Sequence, residues 1–158
     1  MEKRIENIYG KKIRVRVMGI LVKNDQVLLI SHRGLNDANE FWMPPGGGVE
    51  FGEDLKGALQ REFQEEVNLS VEVGRLLYIH EHIQAPLHAV EFFFEIPSFK
   101  GSVELGTDPE TQDFQLIDMA KFMSISDLNS IKSDLLHVVF QNLTTIDDLL
   151  KNEGNILF

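Results

Sequence analysis

Between Trp42 and Leu69 the chain sets Glu53, Arg61, Glu62, Glu65 and Glu66 behind a run of three glycines, Gly46 to Gly48. Glu62, Glu65 and Glu66 are three and four residues apart, so on a helix of 3.6 residues per turn they share one side. Carboxylates crowded on one turn repel each other by a few tenths of a kcal/mol per pair unless a positive charge lies between them. Hard divalent cations such as Mg²⁺ or Mn²⁺ select oxygen ligands of this kind. Upstream, Pro44-Pro45-Gly46-Gly47-Gly48 breaks regular structure and lets the backbone come close to a ligand. A metal-assisted reaction on a pyrophosphate is the chemistry this set suits. The charge sits on the non-bridging oxygens, and electrostatic stabilisation supplies most of the catalysis in phosphoryl-type transfer.

The segment resembles the Nudix box, G-x5-E-x7-R-E-U-x-E-E-x-G-U, in which U is bulky and apolar. The pattern maps onto Gly47, Glu53, Arg61, Glu62, Phe63, Glu65, Glu66 and Leu69. Trp42-Met43-Pro44-Pro45-Gly46 is similar to the usual lead-in. Asn68 stands where the family has glycine. That position ends the helix in a left-handed conformation, and asparagine is the next best residue there.

The resemblance implies an α/β/α sandwich with a mixed sheet. It also implies water attack at phosphorus of a nucleoside diphosphate linked to another moiety. The catalytic set it implies is Glu62, Glu65, Arg61 and Glu53. Metal ligation falls to Glu62 and Glu66 first, Glu65 third and the Gly46 carbonyl, with Mg²⁺ or Mn²⁺ as cofactor and no organic cofactor. Arg61 is expected to hold Glu53 or Glu62, because a guanidinium fork orients a carboxylate better than lysine does. Glu62 is the first choice for activating water, and Glu104 or Glu110 is the alternative.

The elements that position these groups are also legible. Residues 13–22 and 27–31 read as the two strands of a hairpin turning at Lys23-Asn24-Asp25-Gln26. His32 and Arg33 end the second of them, where they could meet a phosphate. Leu55, Ala58, Leu59, Phe63 and Val67 form an apolar stripe, so a helix is expected from about Leu55 to Val67, with Glu53 or Asp54 favouring its dipole at the start. Strands are expected within 70–83, at 88–96 and near 114–118. In the first, Leu77, Ile79 and Ile83 share one face, and Leu76, Tyr78, His80 and His82 the other. In the second, Val90, Phe92, Phe94 and Ile96 lie opposite Ala89, Glu91, Phe93 and Glu95. Tyr78, His80, His82 and Phe93 could build a base-stacking wall, although aromatic residues on strands also serve as core or as a homodimer surface. A short helix is expected from Ser126, then apolar stretches at 135–143 and 146–150.

At 158 residues with 43% hydrophobic side chains, the chain is expected to form one domain over 1–158. Its formal net charge of −10 argues against a nucleic-acid polymer or an anionic membrane as partner and points to a small nucleotide-like diphosphate. Bound cations reconcile an acidic protein with that substrate. The absence of cysteine and of an apolar leader fits a cytoplasmic protein. Two other classes fit the residues less well. A catalytically weak sensing module has no need of every carboxylate, and the isoprenoid isomerase that shares the box requires a cysteine.

Overall fold

The computed structural model describes residues 10–33, 40–106, 117–151 and, for the backbone alone, 155–157. Its strands are β1 (Ile13–Ile20), β2 (Val22–Lys23), β3 (Gln26–His32), β4 (Phe41–Met43), β5 (Gly46–Gly48), β6 (Ser70–Glu72), β7 (Leu76–Gln84), β8 (Leu87–Glu95), β9 (Ser98–Lys100), β10 (Ile117–Met123) and β11 (Asn155–Leu157). Helix α1 spans Leu55–Val67 and the short α2 spans Ile125–Ser130. The fold is a mixed α+β architecture. A five-stranded mixed sheet runs β11-β7-β8-β1-β5, with β1 parallel to β8 and antiparallel to β5. A second sheet runs β10-β3-β2, with β4 also paired to β3.

The expected hairpin is shorter than its two apolar runs suggest. Only Val22-Lys23 pairs with Gln26-Val27, across a two-residue turn in which Asn24 and Asp25 both have positive φ. Such turns match the right-handed twist of the flanking strands. Upstream of Leu21 the chain belongs to the other sheet, where Val17, Met18 and Ile20 are fully buried. A continuous apolar run is the mark of a strand covered on both faces, and it therefore signalled a central strand rather than a hairpin arm.

Helix α1 runs over the expected residues. Asp54 caps its first turn by accepting from the Gly57 amide at 2.8 Å. Asn68 ends it in the left-handed conformation (φ 56°, ψ 34°), with its own amide and that of Leu69 both donating to the Phe63 carbonyl. Replacing Asn68 by glycine should change stability by under ~1 kcal/mol, whereas valine should cost more, about 1–2 kcal/mol, because a β-branched residue opposes positive φ. Thermal melts that rank the two variants equal would contradict this cap.

A β-bulge lies between Leu76 and Tyr78, so Leu77 and Tyr78 are both buried. Beyond it the inward face of β7 carries Tyr78 and His80, while Ile83 is exposed. On β8 the inward residues include Ala89, Glu91 and Phe93. The tail departs from its expectation in form. Its two apolar stretches contribute 3-10 turns at Ser133–Leu135, Val138–Phe140 and Ile146–Leu150. Residues 98–100, between the strands expected at 88–96 and near 114–118, form β9 and pair with β6. The strand expected near 114–118 is β10, and residues 114–116 lie outside the described residues.

Candidate active site

On α1 the positions that face the core are Ala58, Leu59, Glu62, Phe63, Glu66 and Val67. Two of these six are carboxylates, standing where the helical period calls for apolar side chains. Ionised groups are rarely buried unless something pairs with them. Glu66 accepts from the Gly46 amide at 2.8 Å, and its other oxygen lies 4.0 Å from His32 Nε2. Glu62 packs against Gly47, where a Cβ would come within 2.4 Å of its carboxylate oxygen. The glycine run thus leaves the space that the helix fills with a carboxylate.

Arg61 ties the neighbourhood together. Its Nε and Nη2 grip both oxygens of Glu53 at 2.8 and 3.0 Å, Nη1 reaches Glu62 and Glu65 at 3.0 Å each, and Nη2 also donates to the Gly48 carbonyl at 3.0 Å. Sequence reasoning offered Glu53 or Glu62 as its partner; it takes both. Hydrogen bonding from Arg61, assisted by the Glu50 amide, lowers the Glu53 pKa from its ordinary 4.5 to about 2. A group depressed in the folded state adds stability above its unfolded value and loses it as pH falls through its folded one. Glu53→Gln should therefore be less stable than the parent at neutral pH, with the gap closing between pH 4.5 and about 2. A gap of constant size in melts across that window would show that the ion pair adds nothing.

A hard divalent cation fits this set. Glu62 and Glu66 are nearly covered, and three of the four carboxylates share the single Arg61 guanidinium. His32 adds no charge: burial first, then the nearby Arg16 charge, lower its pKa to about 3, so it is neutral. Oxygen donors that are desolvated and under-neutralised suit Mg²⁺ or Mn²⁺.

The remaining expectations divide. His32 does stand beside Glu66, yet as a buried neutral ring it cannot attract a phosphate by charge. Arg33 is exposed and engages Asp118 at 2.7 Å. Tyr78 belongs to the core, its hydroxyl donating to the Leu149 carbonyl at 2.7 Å and its ring edge-on to Phe93, so it builds no base-stacking wall. Glu104 receives a long 3.4 Å hydrogen bond from the Asn68 side chain, and its amide caps the Val67 carbonyl beyond the end of α1. Glu110 lies outside the described residues.

His80 enters a group that sequence reasoning missed. Glu91, buried in β8, accepts from Arg16 Nη1 at 3.1 Å, His80 Nδ1 at 3.0 Å and His137 Nε2 at 2.9 Å. Burial alone would raise the Glu91 pKa, but hydrogen bonds from His137 and His80 and the Arg16 charge hold it well below the usual carboxylate range. The available signal was a glutamate two residues from both Ala89 and Phe93, on the face they share.

The chain matches the NUDIX domain family model over residues 12–139. It belongs to the Nudix family. Over 66 residues it is 41% identical to human diphosphoinositol polyphosphate phosphohydrolase 3-alpha, covering 42% of this chain and 38% of that one. The chain thus spans about two fifths of the length of the first curated relatives it matches. Over 102 residues it is 30% identical to ADP-ribose pyrophosphatase of Methanocaldococcus jannaschii, covering 63% of this chain and 60% of the relative. Among solved structures, a MutT NUDIX hydrolase from Burkholderia pseudomallei is 25% identical with a TM-score of 0.63, over 74% of this chain and 87% of the other. The MutT protein of Methanosarcina mazei Go1 has a TM-score of 0.68 at 16% identity, over 89% of this chain and 95% of the other, and shares the fold.

Proposed function

We propose that the chain is a divalent-metal-dependent hydrolase that breaks the phosphoanhydride of a nucleoside diphosphate linked to another moiety. The observation that carries this reading is the pair of buried carboxylates, Glu62 and Glu66, on the glycine-flanked face of α1. Glu62 and Glu66 would hold Mg²⁺ or Mn²⁺, with Glu65 and the Gly46 carbonyl completing the set. When bound, the cation supplies neutralisation of the pyrophosphate oxygens and a lowered pKa for water. Arg61 holds Glu62 and Glu65 at fixed orientation, and its grip on Glu53 and Gly48 fastens the loop before α1 to β5. Glu62 takes the proton of the attacking water. Glu104 serves less well, since its carboxylate turns toward Asn68 past the end of the helix.

The relatives' names include diphosphoinositol polyphosphate, ADP-ribose and 8-oxo-dGTP, all carrying a phosphoanhydride. A small diphosphate also agrees with a net charge of −10, which repels nucleic-acid polymers. No helix among the described residues is long and apolar enough to cross a membrane.

Purified protein should be assayed with Mg²⁺ and Mn²⁺ on ADP-ribose, nucleotide sugars, dinucleoside polyphosphates, nucleoside triphosphates and diphosphoinositol polyphosphates. Turnover is expected on at least one and should vanish in excess EDTA. Ca²⁺ should occupy the same carboxylates and support turnover poorly, because its shell is looser than octahedral Mg²⁺. Hydrolysis undiminished by EDTA would rule out the metal mechanism.

A further inference from the structure

The β-ladder places Arg16, Glu91 and His80 side by side across three neighbouring strands, Arg16 opposite Glu91 on β8 and Glu91 opposite His80 on β7. The row continues to Gly48 on β5, opposite Arg16. Gly47 turns its α-hydrogen side toward Glu62 on α1. Side chains alternate along a strand, so Arg16 and its row project from the sheet's opposite face. His137 reaches Glu91 from the tail, where its backbone amide is fastened to the Trp42 carbonyl at 2.9 Å. The row adjoins the proposed metal carboxylates through Gly48, whose carbonyl accepts from the same Arg61 that holds Glu62 and Glu65.

His80, Glu91 and His137 offer ligand atoms within 4.8 Å of one another, a spacing that a metal ion could use. The hydrogen bonds argue otherwise. The Val139 amide donates to His137 Nδ1 at 3.2 Å, so that nitrogen carries a lone pair. In a neutral ring the proton is then on Nε2, which donates to Glu91. A metal on Nε2 would move that proton to Nδ1, where it would face the Val139 amide proton. Glu91 also accepts from Arg16, which leaves little of its charge for a cation.

The second oxygen of Glu91 receives both histidines, so His80 likewise donates, through Nδ1–H. Its Nε2 is then the acceptor nitrogen of the ring. Arg16 Nε is buried and has no hydrogen-bond partner among the described residues. One carboxylate therefore fixes a cationic donor edge and, in the same row, an acceptor nitrogen.

We infer that Glu91 is a positioning residue for the non-reacting end of the substrate, holding Arg16 to bind an acceptor oxygen there and His80 to bind a hydroxyl or amino hydrogen. The proposal rests on the hydrolase reading for its kinetic test, while its tautomers are read on the ligand-free protein. The structure offers a sharp probe, since Glu91→Gln keeps the shape. A glutamine amide can accept from the two histidines or from Arg16, but its NH₂ then opposes whichever donor remains.

Histidine ¹⁵N spectra of the metal-free protein in mildly alkaline buffer should show His80 protonated on Nδ1 and His137 on Nε2. In Glu91→Gln, KM for the best substrate of the panel should rise about tenfold or more with kcat within about threefold, the pattern of lost binding rather than lost chemistry. Arg16→Lys keeps the charge beside Glu91 and removes the Nε edge, so it should raise KM in the same way; it decides the matter if Glu91→Gln does not fold. An unchanged KM in the folded variants, the opposite tautomers, or Zn²⁺ shifting both histidines' ¹⁵N resonances together would each overturn the proposal. Absence of turnover in the parent protein would instead overturn the hydrolase reading, with the tautomer result standing apart.

Discussion

Glu62→Gln is expected to lower kcat by at least ~10²-fold, about 2.7 kcal/mol of transition-state stabilisation. The substitution keeps volume and shape but removes a charge from a position that is nearly covered and faces Gly47. Arg61 retains Glu53 and Glu65, so the loop and helix stay fastened. The fold should be at least as stable as the parent, because a buried charge has been removed from a crowded acidic site. Circular dichroism and a melt establish the fold, and steady-state kinetics with Mg²⁺ then give the answer. Near-normal turnover in a well-folded variant would sink the assignment of Glu62.

Gly46→Ala should damage the fold itself, by on the order of 3 kcal/mol or more. The residue has φ 147°, which side chains rarely adopt, and an added Cβ would lie 2.1 Å from the Val17 carbonyl oxygen and 2.8 Å from Met18 Cα. These are backbone atoms of the central strand β1 and cannot swing aside. The neighbouring Gly47→Ala meets only the Glu62 carboxylate, the end of a flexible side chain. That variant should keep most of its stability and lose activity as Glu62 is displaced. The pair separates the two uses of the glycine run, and denaturant melts alongside kinetics test it. Equal stability loss in both would mean that Glu62 is held as rigidly as the backbone.

The helix and its carboxylates were legible because local rules fix them. Leu55 to Val67 has an apolar stripe at helical spacing, an acidic cap at Asp54 and a left-handed terminator at Asn68, and each agrees with the tertiary structure. Arg61 was legible as a clamp because its partners lie within one or two turns. What escaped depends on pairing between distant residues. The apolar run marks Ile13–Ile20 as a central strand, but nothing local tells that its neighbour is β8, 75 residues away at the Arg16–Glu91 contact. The β-bulge near Leu77 interrupts the alternation, so a count through it groups exposed Ile83 with buried Leu77. The burial of Glu91 was not legible, because three donors from separate parts of the chain are what permit it.

The fastening of the tail to the second sheet gives this protein a built-in optical reporter. Trp42, the only tryptophan, is buried, bonds Glu40 through its indole nitrogen at 2.6 Å and passes its carbonyl to the amide of His137. Its register partner is Ser31, adjacent to His32. Every photon of indole emission therefore originates at the junction between the strand that carries His32 and the segment that carries His137. Detachment of that segment would let solvent reach the ring and shift the emission to the red before the rest of the molecule unfolds.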